Sequence, residues 1–151
     1  MKNTGCIRFE QTQGISLDSI DRIISLPHFD NIGCDPYWCN IFTEPQDIYD
    51  YNYSKAKIAV DAANAHGKDH NIWLQSYDFP NGREDEMLIA ADTLYDAGAR
   101  TIISWSFRGG ESNDYRAEST DKVWNLNGEI MRRLRDRYYN ELIDNLRKNR
   151  K

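Results

Sequence analysis

The sequence predicts an α/β fold built from consecutive parallel strand–helix units. Four short runs rich in β-branched and aromatic residues recur along the 151-residue chain. Each run is followed by apolar residues at helical spacing, and this alternation is typical of βαβ units with right-handed crossovers. No Gly/Ser-rich linker interrupts it, so we expect one domain over residues 1–151.

The four predicted strands are short and bounded by turn residues, as buried parallel strands usually are. They cover residues 6–9, 29–34, 72–77 and 101–107. Their spacing leaves room for one helix after each strand.

The first two predicted helices have clear boundaries. Ser16 can cap the first helix, which ends before Pro27. The second covers residues 54–66 and stops at Gly67, a residue that readily adopts the left-handed conformation of a helix C-terminus. Its expected buried side consists of Ile58, Ala59, Ala62 and Ala65.

The last two predicted helices carry longer apolar stripes. The third has negative charge in its first turn, at residues 84–86, and stops at Gly98. Its expected buried side consists of Met87, Ala90, Ala91, Leu94 and Ala97. The fourth is capped by Thr120 and frays near Asn145. Its expected inward residues are Val123, Trp124, Ile130, Met131 and Leu134.

Charge and composition exclude several classes of partner. The formal net charge of −5 argues against nucleic acid, whose binding needs a basic face. The segment from about residue 132 to 151 is locally basic, and we interpret it as a solvated helical tail. The N-terminus lacks the apolar core of a secretory signal, and no apolar run is long enough to span a membrane. We therefore expect a soluble, cytoplasmic chain.

The cysteines and histidines do not indicate a metal centre. Cys6, Cys34 and Cys39 are an odd number without a CxxC pair, so neither a disulfide framework nor a zinc site is expected. Cys6 and Cys34 lie in apolar runs, which is typical of buried thiols. The histidines have no metal-ligand spacing, and we expect no cofactor.

Candidate functional residues follow the predicted strands. In parallel α/β folds, function gathers at the C-terminal ends of the strands. The polar and aromatic residues at these ends are Glu10, Asp35, Tyr37, Trp38, Gln75, Tyr77, Trp105, Arg108 and Glu111.

Each candidate also has a structural interpretation. Glu10 can simply face solvent, and Asp35 before a proline can start a turn. Arg108 and Glu111 can form an ion pair within one loop. Gln75 lies in an otherwise apolar strand, where its amide needs partners of some kind. The aromatic candidates can pack loops or fill the core.

Several segments resemble glycoside hydrolase barrels. Residues 102–106, IISWS, resemble the last strand of many such barrels, where a Trp at the strand end forms the floor of the sugar site. Residues 72–77 with 82–86 resemble the seventh strand and helix of glycosidase-like barrels, and residues 35–37 resemble the end of a sixth strand. The resemblance covers roughly residues 29–135 and implies the C-terminal half of a TIM-like (β/α)₈ barrel.

The resemblance implies a carbohydrate site at the strand ends. Asp35 or Glu10 would serve as general acid or nucleophile, since glycoside cleavage normally uses two carboxyl groups. Tyr37 and Trp105 would stack on the sugar. Gln75 would bind hydroxyl groups, as would Arg108. Gln75 departs from the pattern, because many retaining barrels carry a nucleophilic Glu at this position.

A half barrel leaves the sheet incomplete. A closed barrel takes about 250 residues. Four strand–helix units therefore need either a second copy, in a homodimer, or a separate N-terminal half. We expect activity only from the completed barrel. Two alternatives stay open. One is a non-catalytic carbohydrate-binding or assembly module. The other is an open, flavodoxin-like α/β domain that binds a phosphorylated ligand through the Gly-rich turn at residues 108–110.

Overall fold

The computed structural model describes residues 4–7, 30–80, 82–105 and 117–149. Four strands and three helices lie in this part of the chain, with a helix after each of the last three strands, which confirms the α/β class. The strands are β1 (Thr4–Ile7), β2 (Asn31–Cys34), β3 (Asp69–Gln75) and β4 (Ile102–Trp105). The helices are α1 (Pro45–Ala65), α2 (Glu86–Asp96) and α3 (Thr120–Lys148). The helix predicted between Ser16 and Pro27 lies outside the described residues.

The strands form one parallel sheet in the order β1-β2-β3-β4. Cys34 is in register with Ile72, and Ile72 is in register with Ile102. Each strand therefore pairs with its neighbour in sequence. A flavodoxin-like sheet reverses its strand order near the first strand, and the four described strands have no such reversal.

The core lies between one face of the sheet and the helices. Ile32, Cys34, Ile72 and Leu74 alternate along β2 and β3 and are buried against helix side chains. Helix α1 contacts both strands, while α2 contacts β3 and packs between α1 and α3. Burying large aliphatic side chains in this way stabilises the fold by about 1.5–3 kcal/mol for each one.

Helix α1 begins earlier than the sequence predicts. It starts at Pro45, whose fixed φ suits the first helical turn, rather than at Ser54. Its buried residues are Ile48, Asn52, Ala56, Ala59, Val60 and Ala63. The buried side is thus rotated from the expected one: Ala59 is buried as expected, whereas Ala65 is exposed.

Helix α2 and its C-terminal glycine agree closely with the prediction. Met87, Ala90, Ala91 and Leu94 are buried, and Gly98 follows the helix with φ of 100°. A Cβ at Gly98 would lie 3.2 Å from Cγ1 of Val60, so the glycine also permits close packing of α2 on α1. Gly67 likewise has positive φ (63°) after α1, as predicted.

Helix α3 differs from the prediction on one side. Val123 and Ile130 are buried as expected, but Trp124 is 63% exposed and Met131 is 70% exposed. The helix also continues past Asn145 to Lys148. Two of the predicted inward residues therefore form part of a separate, solvent-facing side.

No helix in the described part of the chain combines the length and apolar character that crossing a membrane requires.

Ion pairs hold α3 against α2 near both ends of their contact. Lys122 lies 3.3 Å from the buried Glu84 and 2.9 Å from Asp85. Farther along α3, Arg137 lies 2.6 Å from Asp96. The basic segment of α3 is thus not only a solvated tail, since part of it binds α2.

Candidate functional site

The strand ends of β2, β3 and β4 meet at one edge of the parallel sheet, where function in this class of fold gathers. Gln75, the last residue of β3, is in register with Trp105, the last residue of β4. The amide of Ser76 donates to the carbonyl of Trp105 at 2.6 Å, and the hydroxyl groups of Ser76 and Ser104 are hydrogen-bonded. These bonds fix the ends of β3 and β4 relative to each other.

Gln75 is a positioning residue. Its side-chain oxygen accepts hydrogen bonds from the backbone amides of Trp38 (3.0 Å) and Cys39 (3.1 Å). Its amide nitrogen donates to the carbonyl of Tyr77 at 3.1 Å. With the side chain only 1% exposed, these contacts tie the segment after β2 to the end of β3. The amide therefore meets protein partners, rather than standing open to a ligand.

Trp38 is a core residue. Its side chain is fully buried, its indole nitrogen donates to Glu86 at 3.2 Å, and its ring packs at a tilt on Phe79. The structure therefore leaves no ring face of Trp38 for the stacking on a sugar that the sequence suggests.

Arg83 secures the loop that follows β2, and sequence reasoning missed it. Its guanidinium donates to the carbonyls of Cys39 (2.8 Å) and Phe42, and pairs with Glu86 at 2.7 Å. The hydrogen bond to Glu86 raises the pKa of Arg83. The sequence feature that could have identified Arg83 is its position directly before the acidic residues 84–86 at the start of a helix. Burial raises the pKa of the nearby Cys39 thiol to about 11, so this thiol stays protonated at neutral pH.

Asp35 and Tyr37 lie together in the segment after β2. Both are nearly buried, with 5% and 6% of their surfaces exposed. The Tyr37 ring meets the Tyr77 ring edge-on, with centroids 5.1 Å apart, so the ends of β2 and β3 share an aromatic contact. Asp78, which follows Tyr77, adopts φ of 54° and accepts a hydrogen bond from Asn40 at 2.8 Å.

Trp105 presents the most accessible aromatic surface among the described residues at this edge. It is 47% exposed, and the Trp73 ring packs edge-on against it at 5.1 Å. Both rings lie on the sheet face opposite the helices, as does Ile103, which is in register with Trp73. The indole nitrogen of Trp73 is buried and has no hydrogen-bond partner among the described residues. Trp105 is thus not a core residue of the described fold.

Three sequence candidates, Glu10, Arg108 and Glu111, lie outside the described residues. The predicted catalytic role of Glu10 and the turn at residues 108–110 therefore have no structural description. Among the described residues, His, Cys, Asp and Glu side chains do not gather in a group that could hold a metal ion.

The chain matches no protein-family model, curated protein or solved structure.

Proposed function

We propose that the chain forms half of a glycoside hydrolase-like (β/α)₈ barrel and binds carbohydrate at the C-terminal ends of its strands. The observation that carries this proposal is the half-exposed Trp105 ring at the end of β4, held edge-on by Trp73. An aromatic ring offers a flat apolar face to the C–H surface of a sugar, while neighbouring polar groups read its hydroxyls.

The strand arrangement supports the half barrel. In a (β/α)₈ barrel every strand is parallel to its sequence neighbour and pairs with it, which is the order of the four described strands. The face opposite the helices carries Trp73, Gln75, Ile103 and Trp105. In a closed barrel this face would become the interior, which bulky side chains fill.

Asp35 is the carboxylate best placed to act on a bound sugar. It follows β2 directly and lies in the same segment as Tyr37. Glycoside cleavage needs a second carboxyl group across the bond. Glu10 is our candidate, because it follows β1, the strand that neighbours β2.

A second candidate function is non-catalytic carbohydrate binding. The observation that favours it is Gln75, an uncharged amide bound to Trp38, Cys39 and Tyr77 where many retaining barrels have a nucleophile. A hydrolysis rate whose pH dependence shows two ionisations would identify a glycoside hydrolase instead. Asp35→Asn should then remove one ionisation and Glu10→Gln the other.

Calorimetric titration with cello-, xylo-, malto- and chito-oligosaccharides tests carbohydrate binding. Trp105→Ala should weaken binding of the preferred sugar by about tenfold, equivalent to about 1.4 kcal/mol. Tyr139→Ala is the matched control, since Tyr139 is a 54% exposed aromatic residue on α3, away from the strand ends, and should leave affinity unchanged. The proposal is wrong if no sugar binds or if Trp105→Ala binds as the wild type does. Thermal protection by inorganic phosphate alone would favour a phosphorylated ligand.

A further inference from the structure

An apolar groove of about 580 Å³ lies beside β4, on the helix side of the sheet. Leu74 and Ile102 line it from the strands, and Ile130, Met131 and Leu134 line it from α3. Helix α3 therefore overhangs the last strand without filling the space next to it.

The groove continues into an edge of the sheet with which no other described strand pairs. The amides of Ile72 and Ser76 donate to the carbonyls of Thr101 and Trp105 across the β3–β4 pair. Alternate residues of a strand direct their N–H and C=O groups to opposite sides of the strand. The N–H and C=O groups of Ile102 therefore point away from β3. Such an edge is a template for another strand.

Helix α3 presents a second apolar face next to the groove. It consists of Trp124, Met131, Tyr138 and Leu142, which are between 42% and 70% exposed. Their spacing of seven, seven and four residues places them on one side of the helix. Met131 and Tyr138 also line the groove, so the face and the groove form one surface. We call this the open flank.

The open flank can accommodate one further strand–helix unit. A strand would pair with β4, and its helix would pack against the second face of α3. In a (β/α)₈ barrel each helix has a helix on both sides, whereas α3 packs against α2 on one side only among the described helices.

We propose that the open flank binds a second copy of this chain, closing an eight-stranded barrel in which β1 of each copy pairs with β4 of the other. The inference rests on the half-barrel part of the proposed function. β1 and β4 are the two edges of a four-stranded parallel sheet. A two-fold pairing would satisfy all four edges at once and give the strand number of a closed barrel. It would also enclose Trp73 and Trp105, which completes the proposed sugar site.

Charge also favours a second copy. Residues 132–151 contain eight basic and three acidic side chains, within a chain whose total charge is −5. The rest of the chain is therefore strongly acidic. Attraction between the basic segment of one copy and the acidic remainder of the other would oppose the net repulsion between two chains of charge −5 and would orient their association.

Light scattering on the full chain, without sugar and over a wide concentration range, tests the pairing. We expect a particle of twice 17.6 kDa. Met131→Glu places a charge in the open flank and should weaken dimerisation at least about a hundredfold. Ile41→Glu is the matched control, because Ile41 is an exposed apolar residue before α1 and away from the groove; it should stay dimeric.

Met131 is 70% exposed, so its substitution should not disturb folding of one copy, and circular dichroism checks this. Tyr138→Glu tests the same surface independently. A monomer at all concentrations, open-ended aggregates, or a dimer that both variants leave intact would overturn the inference. A monomer that still binds sugar through Trp105 would refute only the pairing. A dimer that binds no sugar would refute only the carbohydrate proposal.

Discussion

The side-chain oxygen of Gln75 lies 3.0 Å from the backbone nitrogen of Trp38 and accepts its hydrogen bond. The same oxygen accepts a bond from Cys39, while the amide nitrogen donates to Tyr77. One side chain at the end of β3 thus satisfies backbone groups from two strand ends. Because Gln75 is buried, water cannot easily replace these bonds.

Gln75→Ala should destabilise the fold by about 2–4 kcal/mol. The substitution removes the acceptor for two buried amides, and an unsatisfied buried polar group costs about 1–3 kcal/mol. Urea denaturation measures the change. Gln46→Ala is the control, because Gln46 is exposed and bonds only Asp50 in the described structure. Its effect should stay within about 0.5 kcal/mol. Equal stabilities for the two variants would contradict a positioning role for Gln75.

The sequence predicts the units of the fold because their signals are local. Strand runs and helical stripes are periodic, and Gly67 and Gly98 stop the helices where left-handed backbone is needed. The start of α1 was missed because residues 45–53 hold tyrosines and acidic residues without a continuous apolar stripe. There, burial of Ile48 and Asn52 in the folded chain, rather than the local pattern, decides the conformation.

The candidate site was less predictable because its contacts are long-range. No feature of the neighbouring sequence distinguishes Trp38, which is buried, from Trp105, which is half exposed. The bonds from Gln75 to Trp38 and from Arg83 to Cys39 join segments about 40 residues apart. Strand-end position alone therefore identified the right region but not the role of each side chain.

Raising the pH above 9 should destabilise the protein through Cys39. Burial raises the folded pKa of this thiol from 9.0 to about 11, so the folded state holds a proton that the unfolded state releases between these values. Stability is thus lost as pH rises through this window, by up to about 2–3 kcal/mol. Denaturation curves at pH 8 and pH 11 should show a smaller loss for Cys39→Ala than for the wild type. An equal loss would rule out this contribution.

Acidification should destabilise the protein through His70. Burial, the largest cause, lowers the folded pKa of His70 below 6.5, and the backbone amide of Arg100 donates to Nε2 at 3.3 Å. The unfolded state then binds more protons below pH 6.5, so stability falls as pH drops toward the folded pKa. His70→Gln should have a shallower decline than the wild type from pH 7 to pH 5 in thermal unfolding. Parallel curves for the two proteins would show that His70 does not contribute.

Tyr95 should stabilise the contact between α2 and α3 through its hydroxyl as well as its ring. The hydroxyl donates to Glu141 at 2.8 Å, and the ring lies between the guanidinium groups of Arg100 (4.3 Å) and Arg137 (4.4 Å). Tyr95→Phe keeps the ring between the two cations and removes only the hydrogen bond, so we expect a loss of about 0.5–1.5 kcal/mol. Tyr95→Leu should cost more, because both cation–π contacts disappear as well.

Tyr139→Phe is the matched control for the loss of a tyrosine hydroxyl, since Tyr139 is 54% exposed on the same helix as Glu141. Its effect on urea denaturation should stay within about 0.5 kcal/mol. Glu141→Gln keeps an acceptor for Tyr95 but removes the charge 3.6 Å from Arg100, so its cost should lie below that of Tyr95→Leu. If Tyr95→Phe is as stable as Tyr139→Phe, the hydroxyl does not stabilise the contact. The attachment of α3 to α2 would then depend on the ion pairs of Lys122 and Arg137 and on apolar packing.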